Sequence, residues 1–167
     1  MSNKGGVRAW QFLRRNPAYI EAWRRVETAA PVEPAPFPLR KQTEADCAAG
    51  EWGLLAWEDP LADDGPASPF WAEAEMLDAL PAPDAPPLSE LLAAPDCRVL
   101  GLRLRSGAVI VKVEEGERAV QLRIVDGDEF DPAGGIALRL PVGLDLRLRL
   151  RRAADLWPVG SQGKKRP

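Results

Sequence analysis

CRVLGLRLRSGAVIVKVEEGERAVQLRIVDGD, Cys97 to Asp128, is the stretch that decides the fold class. It holds three alternating or β-branched runs, CRVLGLRLR, AVIVKVEE and AVQLRIV, punctuated at Ser106-Gly107, Gly116 and Asp126-Gly127. Runs of this kind broken by serine-glycine and aspartate-glycine steps mark antiparallel hairpins. Leu100, Leu102 and Leu104 alternate with Gly101, Arg103 and Arg105, so the first run reads as a strand with one buried face. GIALRLPV, residues 135–142, offers a fourth strand. The expectation is an antiparallel meander of three to four strands.

Downstream, GLDLRLRLRRAADLW at 143–157 carries two periods at once. Leu144, Leu146, Leu148 and Leu150 alternate as in a strand, whereas Leu146, Leu150, Ala153 and Trp157 follow helical spacing. Leucine and arginine are good helix formers, Asp145 is placed to cap, and Pro158 stops the pattern, so a C-terminal helix is expected. Leu146, Leu150 and Trp157 would then be buried together, leaving Arg147 and Arg151 as an exposed basic row. Residues 158–167 read as a disordered basic tail.

Upstream, AWQFLRRNPAYIEAW at 9–23 reads as two short helices joined at Asn16-Pro17. Proline pushes the residue before it out of the helical region, Asn is a good N-cap, and Pro is favoured at the first helical position. Trp10, Phe12, Tyr19 and Trp23 are expected to staple this pair as core residues. Ala29–Pro38 reads as a polyproline-like connector. Thr43 and Asp46 form a capping signal for a short helix through Ala49. EWGLLAWEDP, 51–60, is a short strand or buried extended segment, and Phe70 and Trp71 are expected to be buried before a helical turn. The organisation expected is α+β: a helical, loop-rich domain over 8–80, a proline-rich linker over 81–96, the meander and helix over 97–157, and the tail.

Charge is segregated behind a net value of −3. Residues 1–41 carry eight basic against three acidic side chains, 42–98 carry thirteen acids against Arg98, and 99–167 carry thirteen bases against nine acids. Such asymmetry can mean an acidic arm meeting basic surfaces, but a solvated acidic loop is the reading preferred. The chain has no histidine and two distant cysteines, Cys47 and Cys97. Zinc sites on the usual Cys/His spacing and Ser/His/Asp or Cys/His nucleophilic arrangements are thereby excluded. Asp63-Asp64 and Asp126/Asp128 are explained by turn chemistry, and no carboxylate pair is singled out. No cofactor is expected, and the reading is non-enzymatic. The absence of a long apolar run or signal-like leader points to a reducing cytoplasm with both thiols free.

Taken in order, the landmarks Trp10, Phe12, Leu13, Arg14, Arg15, Asn16, Pro17 and Tyr19; Trp52, Gly53 and Leu54; Asp59 and Pro60; and Phe70, Trp71 and Glu73 form a set. That set, over about residues 8–75, resembles the N-terminal transcriptional regulator-like domain found in many proteobacterial proteins. The family opens with Trp-x-Phe-Leu-Arg-Arg-Asn-Pro-x-Tyr. The meander and Leu/Arg helix resemble the middle region of its longer members, where a helix-turn-helix DNA-binding domain follows, as in regulators of type VI secretion or mobile-element transfer. This chain ends ten residues after Trp157, so the expectation is a relative without that reader. None of the family's DNA contacts is carried onto a residue here.

The resemblance implies a bacterial, transcription-associated regulator that works through protein contacts, as partner or antagonist of a full-length DNA-binding relative; a homo-oligomer is also compatible. Candidate interface residues are Arg14, Arg15, Arg147, Arg151 and Arg152, because arginine serves protein interfaces and carboxylate pairing. A solvated helix face is the plain alternative for them. A second reading is a weak, non-specific nucleic-acid binder using Arg103, Arg105, Arg149, Lys164, Lys165 and Arg166 alongside the helix arginines. A third is a metal- or small-molecule-binding domain resting on the aspartate turns.

Overall fold

The three runs occupy the centre of a larger, mixed sheet. A computed structural model describes residues 4–26, 32–33, 36–61, 69–88, 90, 97–115, 118–140, 147, 150–151 and 153–154. Among these the sheet has seven strands: β1 (Val32–Glu33), β2 (Leu39–Lys41), β3 (Met76–Pro81), β4 (Cys97–Arg103), β5 (Val109–Glu115), β6 (Arg118–Ile124) and β7 (Ile136–Arg139), in the order β1-β2-β4-β5-β6-β3-β7. The β4-β5-β6 core is antiparallel, with Gly101 opposite Val111 and Val111 opposite Leu122. β2 runs parallel to β4 and β3 parallel to β6, while β1 and β7 pair antiparallel with β2 and β3.

The expected fold class is therefore corrected. The architecture is a seven-stranded mixed sheet with few helices, not a three- to four-stranded antiparallel meander closed by a C-terminal helix. Two parallel strands come from segments far away in sequence, and parallel partners announce themselves by no local turn. Asp126-Gly127 does not return the chain beside β6: a short 3-10 turn follows at Gly127–Glu129, and β7 pairs with β3, which lies between them. The segment after Trp71 becomes β3 rather than extending a helical turn.

Both faces of the sheet are covered, and β5 is buried from Val109 to Val113, with valines on one side and Ile110 and Lys112 on the other. Val109, Val111 and Val113 join Leu39, Val99, Val120, Leu122 and Ile124 in the cluster on one face, with Phe37, Leu88 and Phe130 packed against them. Burying each such aliphatic side chain is worth about 1.5–3 kcal/mol. Ile110 and Leu102 face the other way, against Ala56 and Phe70. β2 reaches β4 only because Gly101 is small: a side chain there would collide with Leu39 and Phe37. Of the expected C-terminal helix, Arg147, Leu150, Arg151, Ala153 and Ala154 are described and have helical backbone. Ala153 packs into the first core cluster, but Leu150 is 50% exposed, so its expected burial is corrected. Leu150 lies about 60° around the helix from Ala153, on the flank of the buried stripe. Leu146 and Trp157 lie outside the described residues.

The helical part packs over the second face. α1 (Lys4–Leu13) and α2 (Pro17–Arg24) meet at Asn16, whose Oδ1 accepts from the Ala18 N–H at 3.0 Å, with Pro17 opening α2. They rest on a 3-10 helix, Ala45–Trp52, ended by Gly53 at φ 74°. Trp10, Tyr19, Ala49, Leu54 and Trp57 form the buried cluster, with Leu13, Trp23, Trp52 and Trp71 partly buried around it. Tyr19 is its centre, with its ring 5.9 Å from Trp10 and 5.5 Å from both Trp52 and Trp57. Phe12 is not a staple: it is 78% exposed. Two residues is about 200° of helix, so a buried Trp10 turns Phe12 outward. No helix among the described residues is long and apolar enough to cross a membrane.

Candidate functional site

The outward Phe12 borders a groove of about 390 Å³ lined by Ala9, Phe12, Leu13, Asn16, Trp52 and Trp71. One wall is α1, where residues 9, 12 and 13 share one helical stripe, continued by the cap residue Asn16. The opposite wall is two indoles, Trp52 from the end of the 3-10 helix and Trp71 from the strand-like segment after Phe70. Trp71 is fixed from the sheet below. Its N–H donates to Gln121 Oε1 and its carbonyl accepts from Gln121 Nε2, both at 2.9 Å, and Leu54 bridges to it antiparallel. The buried Gln121 thus uses both the oxygen and the nitrogen of its amide on one backbone position, which pins the Trp71 backbone to the sheet.

A buried polar layer holds the same region. Lys112 Nζ, on β5 and almost wholly buried, donates to the Pro69 carbonyl at 2.7 Å and lies 3.4 Å from Glu114. It also sits 5.6 Å from the Phe70 ring centre. Burial pushes its pKa down, opposed by Glu114 and Glu58. Burial pushes the Glu58 carboxyl up, opposed by Arg40 and Lys112. In both groups desolvation outweighs the neighbouring charges.

Around the groove the charges differ by wall. Arg8 and Arg15 are exposed on the α1 side, while Glu51 and Glu73, sequence neighbours of Trp52 and Trp71, are exposed on the other. Arg14 is tied down: its Nε donates to the Pro60 carbonyl at 3.1 Å, joining the α1–α2 corner to the Asp59-Pro60 step. Of the other candidate interface residues, Arg147 and Arg151 are exposed on helical backbone, and Arg152 lies outside the described residues.

Among the nucleic-acid candidates, Arg103 is half-buried and its Nη1 donates to the Gly127 carbonyl at 2.9 Å. Arg105 is exposed; its N–H donates to Gln42 Oε1 at 3.0 Å and its Nη1 lies 3.7 Å from Cys47 Sγ. Arg149, Lys164, Lys165 and Arg166 lie outside the described residues. Arg14 and Arg15 belong to the helical corner and Arg103 and Arg105 to the end of β4, so the candidates divide between separate elements.

The aspartates 126 and 128 line a second cleft, of about 310 Å³, with Ser106, Gly107 and Glu129. No group of three or more His, Cys, Asp or Glu among the described residues is arranged to hold a metal. The Cys97 thiol is pushed up by burial and then by Glu115 and Glu114, the opposite of an activated nucleophile.

Sequence reasoning missed Phe12, Trp52 and Trp71 as surface groups. The signal for Phe12 was its angle from Trp10 on one helix. The Trp52–Trp71 wall had none, because it depends on Gln121, fifty residues from Trp71. No protein-family model matches the chain, and no curated protein matches it.

Proposed function

We propose that the chain is a cytoplasmic, non-enzymatic regulatory protein that acts by protein contact, with the Phe12–Trp52–Trp71 groove as its contact surface. The setting is the transcription-associated one implied by the resemblance of its opening motif, and the partner is a longer DNA-binding relative. The observation that carries the reading is a phenylalanine 78% exposed beside two partly buried indoles, one of them on backbone hydrogen-bonded to the sheet. Solvent exposure of a large aromatic is unfavourable, and clustered aromatics with flanking arginine are what interface cores select.

The test uses a longer regulator bearing the same Trp-x-Phe-Leu-Arg-Arg-Asn-Pro signature, flowed over the immobilised chain, beside a gel shift of duplex DNA at low and moderate salt. Saturable regulator binding without a salt-sensitive DNA shift is expected. A salt-sensitive shift with no regulator binding would replace this reading with the nucleic-acid one, since phosphate contacts weaken steeply with salt.

A further inference from the structure

We infer that the groove also accepts a second copy of this chain, docked about a two-fold axis parallel to the groove, so that Phe12 of each copy lies on the Trp52–Trp71 wall of the other. The inference rests on the reading of the groove as a contact surface.

Its ground is the unequal charge of the two walls. Exposed Arg8 and Arg15 stand four and three residues from Phe12 on the α1 side, and exposed Glu51 and Glu73 stand one and two residues from Trp52 and Trp71. A uniformly acidic partner would meet the glutamates, and a uniformly basic one the arginines. A dipolar groove is best matched by another dipolar groove.

Symmetry then selects the axis. In a face-to-face pair, a two-fold axis along the groove exchanges left and right walls, bringing one copy's arginines over the other's glutamates. The same operation brings Phe12 over the opposing indoles. An axis across the groove would set like charges together, which is unfavourable and is rejected. The contact is isologous and closes at two copies.

Sedimentation of the full chain over a concentration series tests this. The parent is expected to show a monomer–dimer equilibrium that weakens as salt screens the rim. Phe12→Gln should weaken it roughly tenfold or more while melting with the parent, as for a central aromatic contact. The paired substitution Arg8→Glu/Arg15→Glu makes the groove acidic, and Glu51→Arg/Glu73→Arg makes it basic. Each variant should be monomeric alone, and the two mixed should form a one-to-one pair. A parent that stays monomeric throughout overturns the inference, as does undiminished dimerisation of Phe12→Gln or failure of the mixed variants to pair. A monomer that still binds the longer regulator overturns the dimer alone and leaves the protein-contact reading standing.

Discussion

Arg40 and Asp46 form an ion pair at 2.6 Å that joins β2 to the 3-10 helix, with the Asp46 side chain wholly buried. Asp46 Oδ2 also accepts from the N–H and hydroxyl of Thr43, at 2.8 and 2.9 Å, and Oδ1 from the Trp57 N–H at 2.9 Å. Arg40 Nη1 donates onward to the Trp57 carbonyl at 2.6 Å. One carboxylate therefore ties three segments together, and its removal leaves a mostly buried guanidinium and several donors unpaired. Asp46→Ala should cost about 3–5 kcal/mol in urea unfolding, as for a broken buried pair. A loss below about 1 kcal/mol, the scale of an exposed pair, would show that the network contributes little.

Tyr19 is the chain's single tyrosine, so its ionisation can be followed by absorbance without interference from another. Burial pushes its hydroxyl well above the ordinary value of 10.0, against the lowering effect of the Glu58 backbone N–H, which donates to the hydroxyl oxygen at 3.3 Å. The folded chain keeps this proton while the unfolded chain loses it near 10.0. The stabilisation is thus complete below that pH and is lost as pH rises above it. Tyrosinate absorbance should stay silent around pH 10 and appear together with unfolding. A smooth titration at the ordinary value, with the fold intact, would mean that the hydroxyl reaches water.

Glu58 gives the complementary case. Its carboxyl is raised above the ordinary 4.5, first by burial, with Arg40 and Lys112 opposing. The folded state holds the proton more tightly than the unfolded one, so stability falls as pH rises from about 4.5 through the raised folded value. Glu58→Gln should remove that loss, gaining stability relative to the parent on going from acid to neutral pH. If the two unfolding curves keep a constant separation over this range, Glu58 does not carry the dependence.

What was legible in the sequence was local. Alternation and turn residues located β4, β5 and β6, and the Asn16-Pro17 and Thr43/Asp46 signals correspond to a helix cap and a reciprocal side-chain–backbone pair. The strands that make the sheet mixed were not legible. β2 and β3 are short or poor in β-branched residues, and their pairing depends on features such as the absence of a side chain at Gly101. The groove failed for the same reason: Trp71 is placed by Gln121, and no spacing along the chain encodes that contact. At Leu150, both periodicities assigned burial to a residue that the packing at Ala153 leaves on the flank.

The central claim is that two aromatics of one helix have separate uses, Trp10 for folding and Phe12 for contact. The most direct measurement is melting and regulator binding on the same samples of Trp10→Ala and Phe12→Gln. Trp10→Ala should lose about 3–5 kcal/mol of stability, the usual cost of truncating a buried large aromatic. Phe12→Gln, a good helix former at an exposed position, should stay within about 0.5 kcal/mol of the parent and lose binding to the longer regulator. A Phe12→Gln variant that unfolds like Trp10→Ala, or that both melts and binds like the parent, would contradict the account.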